Sequence, residues 1–185
     1  MPFDLQPVLE GPLVTLCPLQ PGDHARLYAV AADPLIWEQH PDKSRSQLDG
    51  FRAFFQQALD SGGALLALET ASGRVIGSSR YHGYDEAADE VEIGWTFLAR
   101  SHWGGQYNAE MKRLMLEHAF RFVGRVVFLV DPANYRSQRA VEKIGAVRIG
   151  MRMRAGASDR PSCVFQITAS EWKHRRAATP APEPG

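Results

Sequence analysis

EVEIGWTFLARSHWGGQYNAEMKRLMLEHAFRFVGRVVFLV, residues Glu90 to Val130, is the stretch from which the fold is read. Glu90–Leu98 has the β-branched and aromatic content of a strand, and Ala99–Gln106 is a loop carrying Gly104-Gly105. From Tyr107 to Phe122 the residues Met111, Leu114, Met115, His118 and Phe122 recur at helical spacing on one face, and Val126–Val130 is a short apolar run of strand length. Strand, glycine loop, long helix, strand describes a crossover between parallel strands. A glycine loop feeding a helix N-terminus presents unpaired backbone N–H groups and the positive end of the dipole, which suits a pyrophosphate.

Upstream, Leu13–Cys17 reads as a strand, and Asp23 as the N-cap of a helix through Leu27, Val30 and Ala31. Pro34 and Pro41 keep Asp33–Arg45 irregular, and Leu48, Phe51, Phe54, Phe55 and Leu59 mark a second helix. Ala64–Glu69, Arg74–Tyr84 and Glu90–Leu98 form an antiparallel meander. Downstream, Asp131-Pro132 stops a strand, and a helix follows with Ser137, Ala140, Val141 and Ile144 inward and Gly145 as its cap. Val147, Ile149, Met151 and Met153 alternate with polar residues and glycine as in a half-buried strand, with Cys163–Ile167 as its partner. Thr168-Ala169-Ser170-Glu171 is a capping box for a short last helix bearing Trp172. These elements make one domain over residues 1–176, with 177–185 a disordered tail.

The chain has 185 residues, 44% hydrophobic and 23% charged, as one globular domain does. Lys plus Arg and Asp plus Glu both total 21, so there is no net field to draw in nucleic acid or an anionic membrane. Cys17 and Cys163 lie far apart within apolar runs, as free thiols of a reducing compartment would, and no signal peptide or long apolar span is evident. A soluble, cytoplasmic protein is expected, with no metal site.

The element order, together with Glu92-Ile93-Gly94-Trp95, Tyr107-Asn108-Ala109-Glu110, Asn134-Tyr135-Arg136-Ser137 and Lys143-Ile144-Gly145-Ala146, resembles the GCN5-related N-acetyltransferase (GNAT) superfamily over Pro12 to Trp172, and within it the RimJ/RimL branch that acetylates protein amino termini. The resemblance implies an α/β (α+β) fold: a mixed, mostly antiparallel sheet of six to seven strands, flanked by about four helices, whose splayed central strands hold CoA. The family's pyrophosphate loop has Gln or Arg, two residues, Gly, one residue, then Gly or Ala. In register, Trp103, Gln106 and Asn108 fall at those positions; one residue earlier, His102, Gly105 and Tyr107 do. The loop Trp103, Gly104, Gly105, Gln106, Tyr107, Asn108 is therefore carried over as a unit.

By the same resemblance, Thr96, Phe97 and Leu98 end the strand that splays from Val126–Val130, pantetheine lies in the gap, and a backbone N–H of the Thr96–Leu98 bulge meets the oxyanion. Asn134 matches the asparagine on the pantetheine arm, and it also reads as an N-cap. Arg136, Arg139 and Lys143 read as CoA contacts or as solvated charges. Glu92 matches the family's general base, with Glu90, His82 and Tyr84 in reserve; its other reading is a carboxylate paired with Arg80. An α-amine, with pKa ~7.7–8.0, gives up its proton more readily than a lysine at ~10.4. The branch's tyrosine acid is replaced by Val141, which leaves Ser137 as the donor to the departing thiolate. Acceptor recognition falls to Trp37, Glu38 and His40 and to the loop Ala155–Pro161.

The implied activity is acetyl transfer from acetyl-CoA to a primary amine, a protein N-terminal α-amine or a small amine. An acyl-CoA-binding sensor without turnover, or a different acyl donor such as succinyl-CoA, is the alternative. A homodimer is compatible with the meander edge and the tail.

Overall fold

The computed structural model describes residues 3–153 and 160–178. Among the described residues eight strands form one sheet: β1 (Leu9–Glu10), β2 (Val14–Pro18), β3 (Ala64–Glu69), β4 (Val75–Asp85), β5 (Glu90–Leu98), β6 (Arg125–Val130), β7 (Val147–Arg152) and β8 (Ser162–Thr168). Their spatial order is β1-β2-β3-β4-β5-β6-β8-β7. Every neighbouring pair is antiparallel except β5 and β6. Five α-helices among the described residues accompany them: α1 (His24–Ala31), α2 (Leu48–Asp60), α3 (Gln106–Ala119), α4 (Tyr135–Lys143) and α5 (Ala169–Ala178). The mixed, mostly antiparallel α/β architecture is as expected, with eight strands where six to seven were anticipated and five α-helices where about four were. The additional strand is β1, two residues long and too short to show a period.

The sheet separates two cores. On one face α1 and α2 pack Leu27, Phe51, Phe54 and Phe55 against Leu66 and Phe97. On the other, α3 packs Met111, Met115 and Leu116 against Leu65, Tyr81, Ile93 and Phe128. Alternation along β4 and β5 sends successive side chains to opposite faces. Arg80 pairs with Gly94 and His82 with Glu92, so these residues share a face. The Tyr81 hydroxyl donates to the Met115 carbonyl at 2.7 Å and ties α3 to the other face.

α3 is further fixed by Glu110, buried within the Tyr-Asn-Ala-Glu stretch, whose Oε2 accepts the backbone N–H groups of Leu13 at 2.7 Å and Val14 at 2.8 Å. The capping box of α5 forms as read: Thr168 N–H donates to Glu171 Oε2 at 2.8 Å, and Glu171 N–H to Thr168 Oγ1 at 3.2 Å. α5 continues to Ala178, two residues into the stretch read as tail.

The strand expected to be half-buried, β7, is exposed along its whole length, with Val147 at 58% and Ile149 at 54%. It is the outermost strand, paired only with β8, so its alternation lacks a layer to bury against. No described helix is long and apolar enough to cross a membrane.

Candidate active site

β5 and β6 run parallel through only three pairs, Glu90 with Arg125, Val91 with Val126 and Glu92 with Val127. Beyond Glu92 they diverge. The register between β4 and β5 slips in the same region, from Arg80 opposite Gly94 to Ser78 opposite Phe97. Two residues, Trp95 and Thr96, thus oppose Ser79, and Trp95 takes φ +50°. A β-bulge with a non-glycine residue at positive φ is a strained arrangement of the kind found at sites that re-aim a strand. The bulge lies at Trp95–Thr96, one residue earlier than expected.

The gap opens into a cleft of about 640 Å³. β5 lines it with Ile93, Gly94, Trp95 and Thr96, and β6 with Phe128, Leu129 and Val130. Asn108 and Lys112 of α3 and Asn134, Ser137, Ala140 and Val141 at α4 line it from the other elements. His40, Pro41, Asp42, Arg45, Gln57, Arg80 and His82 line the half that faces α2.

Glu92 sits at the apex of the divergence and is 7% exposed. Asn134 caps α4, its Oδ1 accepting the Ser137 N–H at 3.1 Å, so the capping reading holds while Asn134 also lines the cleft. The Phe97 and Leu98 side chains are buried in the two opposite cores. Among the three, Thr96 alone presents its side chain to the cleft.

The glycine loop is built for close approach. Gly104 has φ +70°, which favours glycine, and a Cβ on Gly104 or Gly105 would meet nothing within 4 Å. α3 opens at Gln106, with Gly105 as an N-cap that makes no side-chain bond and no acidic residue in the first turn. The loop is anchored from behind. Trp103 Nε1 donates to the Leu98 carbonyl at 2.9 Å, and the Arg136 guanidinium lies 4.2 Å from the Trp103 ring. Tyr107 points away from the cleft, its hydroxyl donating to Glu69 Oε1 at 3.2 Å and its ring meeting buried His102 edge-on at 4.5 Å. Gly104, Gly105 and Gln106 are exposed, and of the loop and the first turn of α3 Asn108 lines the cleft.

Arg136 serves as a clip, donating from Nη2 to the Ile36 carbonyl at 2.7 Å. Arg139 and Lys143 lie on the exposed side of α4.

Of the three acceptor-side candidates, only His40 lines the cleft. Trp37 is a core residue, its Nε1 donating to the Ala31 carbonyl at 2.8 Å and its ring packed on Phe97. Glu38 is exposed. Burial first, and then the charge of Arg45, push the His40 imidazole down to about 4. Most of the loop Ala155–Pro161 lies outside the described residues.

Sequence reading missed Lys112 and Arg45 and named Arg80 only as a possible partner of Glu92. Lys112 interrupts the series Asn108, Met115, Ala119, which faces inward along α3 at helical spacing; that interruption was the available signal. Its ammonium donates to Thr96 Oγ1 and, at 3.4 Å, to Ser79 Oγ, and burial pushes it down to about 7 against the opposing pull of Glu92. Arg80 stacks 4.6 Å from the Trp95 ring, and Arg45 4.5 Å from Phe54. Among the described residues no group of three or more His, Cys, Asp or Glu could hold a metal.

A cleft between diverging parallel strands, with a glycine loop and a helix N-terminus at its mouth, fits an extended ligand that carries phosphate at one end. The model of the acetyltransferase (GNAT) domain matches residues 14–147, and the chain belongs to that family. A GCN5-related N-acetyltransferase from Brucella melitensis superposes with TM-score 0.83 at 21% identity, over 96% of this chain and 85% of that one. RimJ of Mycobacterium smegmatis, in complex with CoA-disulfide, superposes with TM-score 0.70 at 19% identity, over 93% and 92%. At these identities the likeness is one of fold. Fifty-seven residues are 46% identical to the uncharacterized protein YkkB of Bacillus subtilis (strain 168), 30% of this chain and 33% of that relative's length.

Proposed function

We propose that the protein is an acetyl-CoA-dependent N-acetyltransferase acting on a primary amine, either a protein N-terminal α-amine or a small amine. The observation that carries this reading is the divergence of β5 from β6 after Glu92, where the parallel pairing of the two strands ends. An extended arm with amide groups can bond a strand edge as an added strand. Family membership and the CoA-disulfide held by the RimJ structure support the donor. The open space over Gly104 and Gly105 fits its phosphates at the start of α3.

Bound acetyl-CoA supplies an activated acyl group. Glu92 takes the proton from the acceptor ammonium, directly or through water, so that the neutral amine can attack. A backbone N–H at the bulge, within Trp95–Leu98, receives the developing oxyanion. Ser137, held at the first turn of α4 by the Asn134 cap, donates to the departing sulfur. Asn134 and Asn108 bond the arm. On the acceptor side His40 is a neutral wall beside Asp42 and Arg45. The two free cysteines are consistent with a cytoplasmic location.

Calorimetric titration with acetyl-CoA, using desulfo-CoA and ATP as controls, tests the donor assignment. Saturable micromolar binding of acetyl-CoA and desulfo-CoA, and far weaker binding of ATP, is expected. Equal binding of ATP and acetyl-CoA would show that the gap between β5 and β6 holds no arm.

A further inference from the structure

Lys112 is a buried amine that makes no ion pair with a carboxylate among the described residues. It is 4% exposed, it lines the cleft, and its hydrogen bonds go to two neutral hydroxyls, those of Thr96 and Ser79. Those hydroxyls also bond one another at 2.7 Å, so both retain a partner without the lysine. Buried charges ordinarily meet an opposite charge or a full set of acceptors, and an ammonium has three donors to place. Lys112 stands four residues, one helical turn and ~6 Å of rise, beyond Asn108 on the same side of α3. A ligand anchored at the start of α3 and running inward along the gap meets Asn108 first and Lys112 next. The Phe128 ring, 5.5 Å away across the gap, offers only its π face.

We propose that Lys112 is a donor-binding residue whose ammonium donates a hydrogen bond to an oxygen of the acyl-CoA, a carbonyl of its arm or of the acyl group. The inference rests on the acyl-CoA reading of the cleft. The oxygen completes the coordination that Thr96 and Ser79 leave unfinished, and Lys112 thereby reads the part of the donor that distinguishes an acyl-CoA from a nucleotide. Its lowered proton affinity fits this role, because a site already charged at all pH values would gain nothing in protonation from the ligand. The groups round it that carry or could carry charge are Glu92, whose charge acts on it, Arg80 and His82 across the sheet, Asp131 at the end of β6, His40, Asp42 and Arg45 in the same cleft, and Tyr81, whose hydroxyl is committed to Met115.

The test is calorimetry of the wild type, Lys112→Met and Lys112→Gln with CoA, acetyl-CoA and succinyl-CoA, at about pH 7.5 in two buffers of different ionisation enthalpy. Donor affinity is expected to fall ~10- to 100-fold in Lys112→Met, the range for a charged hydrogen bond, and less in Lys112→Gln. Wild-type binding is expected to take up a fraction of a proton that Lys112→Met does not. An equal loss for all three ligands assigns the oxygen to the arm, a loss confined to the acylated ones to the thioester carbonyl, and a loss confined to succinyl-CoA to the terminal carboxylate. Unchanged affinity for all three in a folded Lys112→Met protein, with the same proton uptake as wild type, overturns the inference while leaving the acyl-CoA reading intact. Failure of the wild type to bind any of the three overturns both.

Discussion

Replacing Lys112 by methionine should stabilise the ligand-free protein, and the gain should depend on pH. Burial holds this ammonium at about 7 against its ordinary 10.5. At ~1.4 kcal/mol per pKa unit the cost of keeping it charged in the fold approaches ~5 kcal/mol. The sign follows from proton counting. Between pH 7 and the unfolded value the unfolded chain carries a proton that the folded one lacks, so the penalty is full below 7 and shrinks as pH rises toward the unfolded pKa. Methionine removes it and keeps most of the aliphatic volume, while Ser79 and Thr96 continue to bond each other. Urea denaturation of both proteins should therefore show Lys112→Met more stable by ~4–5 kcal/mol at pH 6 and by only ~2 kcal/mol at pH 9. Equal gains at the two pH values, or a loss at both, would refute the reasoning, because then the lysine is not held against its charge.

Glu110→Ala should destabilise the fold by ~2–4 kcal/mol in the same assay, since it strands the buried N–H of Val14 together with that of Leu13. Gly104→Ala, at φ +70°, should cost ~1 kcal/mol of stability, and on the proposed placement of the phosphates over this loop calorimetry should show weaker CoA binding. His40 should titrate near 4 by NMR; since the unfolded chain takes that proton first, stability is lost as pH falls from the unfolded value near 6.5 through 4.

The parts of the fold governed by local period were legible in the sequence. The helix at Phe51, Phe54 and Phe55, the strands Ala64–Glu69 and Glu90–Leu98, the Gly145 cap and the Thr168 capping box each rest on interactions within a few residues, and each forms. The exposure of β7 was not legible, because burial of an alternating strand is decided by what covers it. The site divides the same way. The helix start, read at Tyr107 and found one residue earlier at Gln106, and the Asn134 cap follow from local chemistry, and both form. Trp37 was read as a wall of the site, yet its indole closes a hydrogen bond to Ala31 within the core. Lys112, Arg80 and Arg45 reach the cleft from three elements far apart in the chain, and only the packing of α3 and α2 on opposite faces of the sheet brings them to one space.

Thiol release from acetyl-CoA over a panel of small amines and amino-terminal peptides, run with the wild type and Glu92→Gln, tests the acyltransfer reading most directly. The expected result is turnover on at least one primary amine, falling ~10²- to 10⁴-fold in Glu92→Gln with acetyl-CoA affinity kept. Acetyl-CoA binding with no thiol released on any amine, or full turnover by Glu92→Gln, would contradict it.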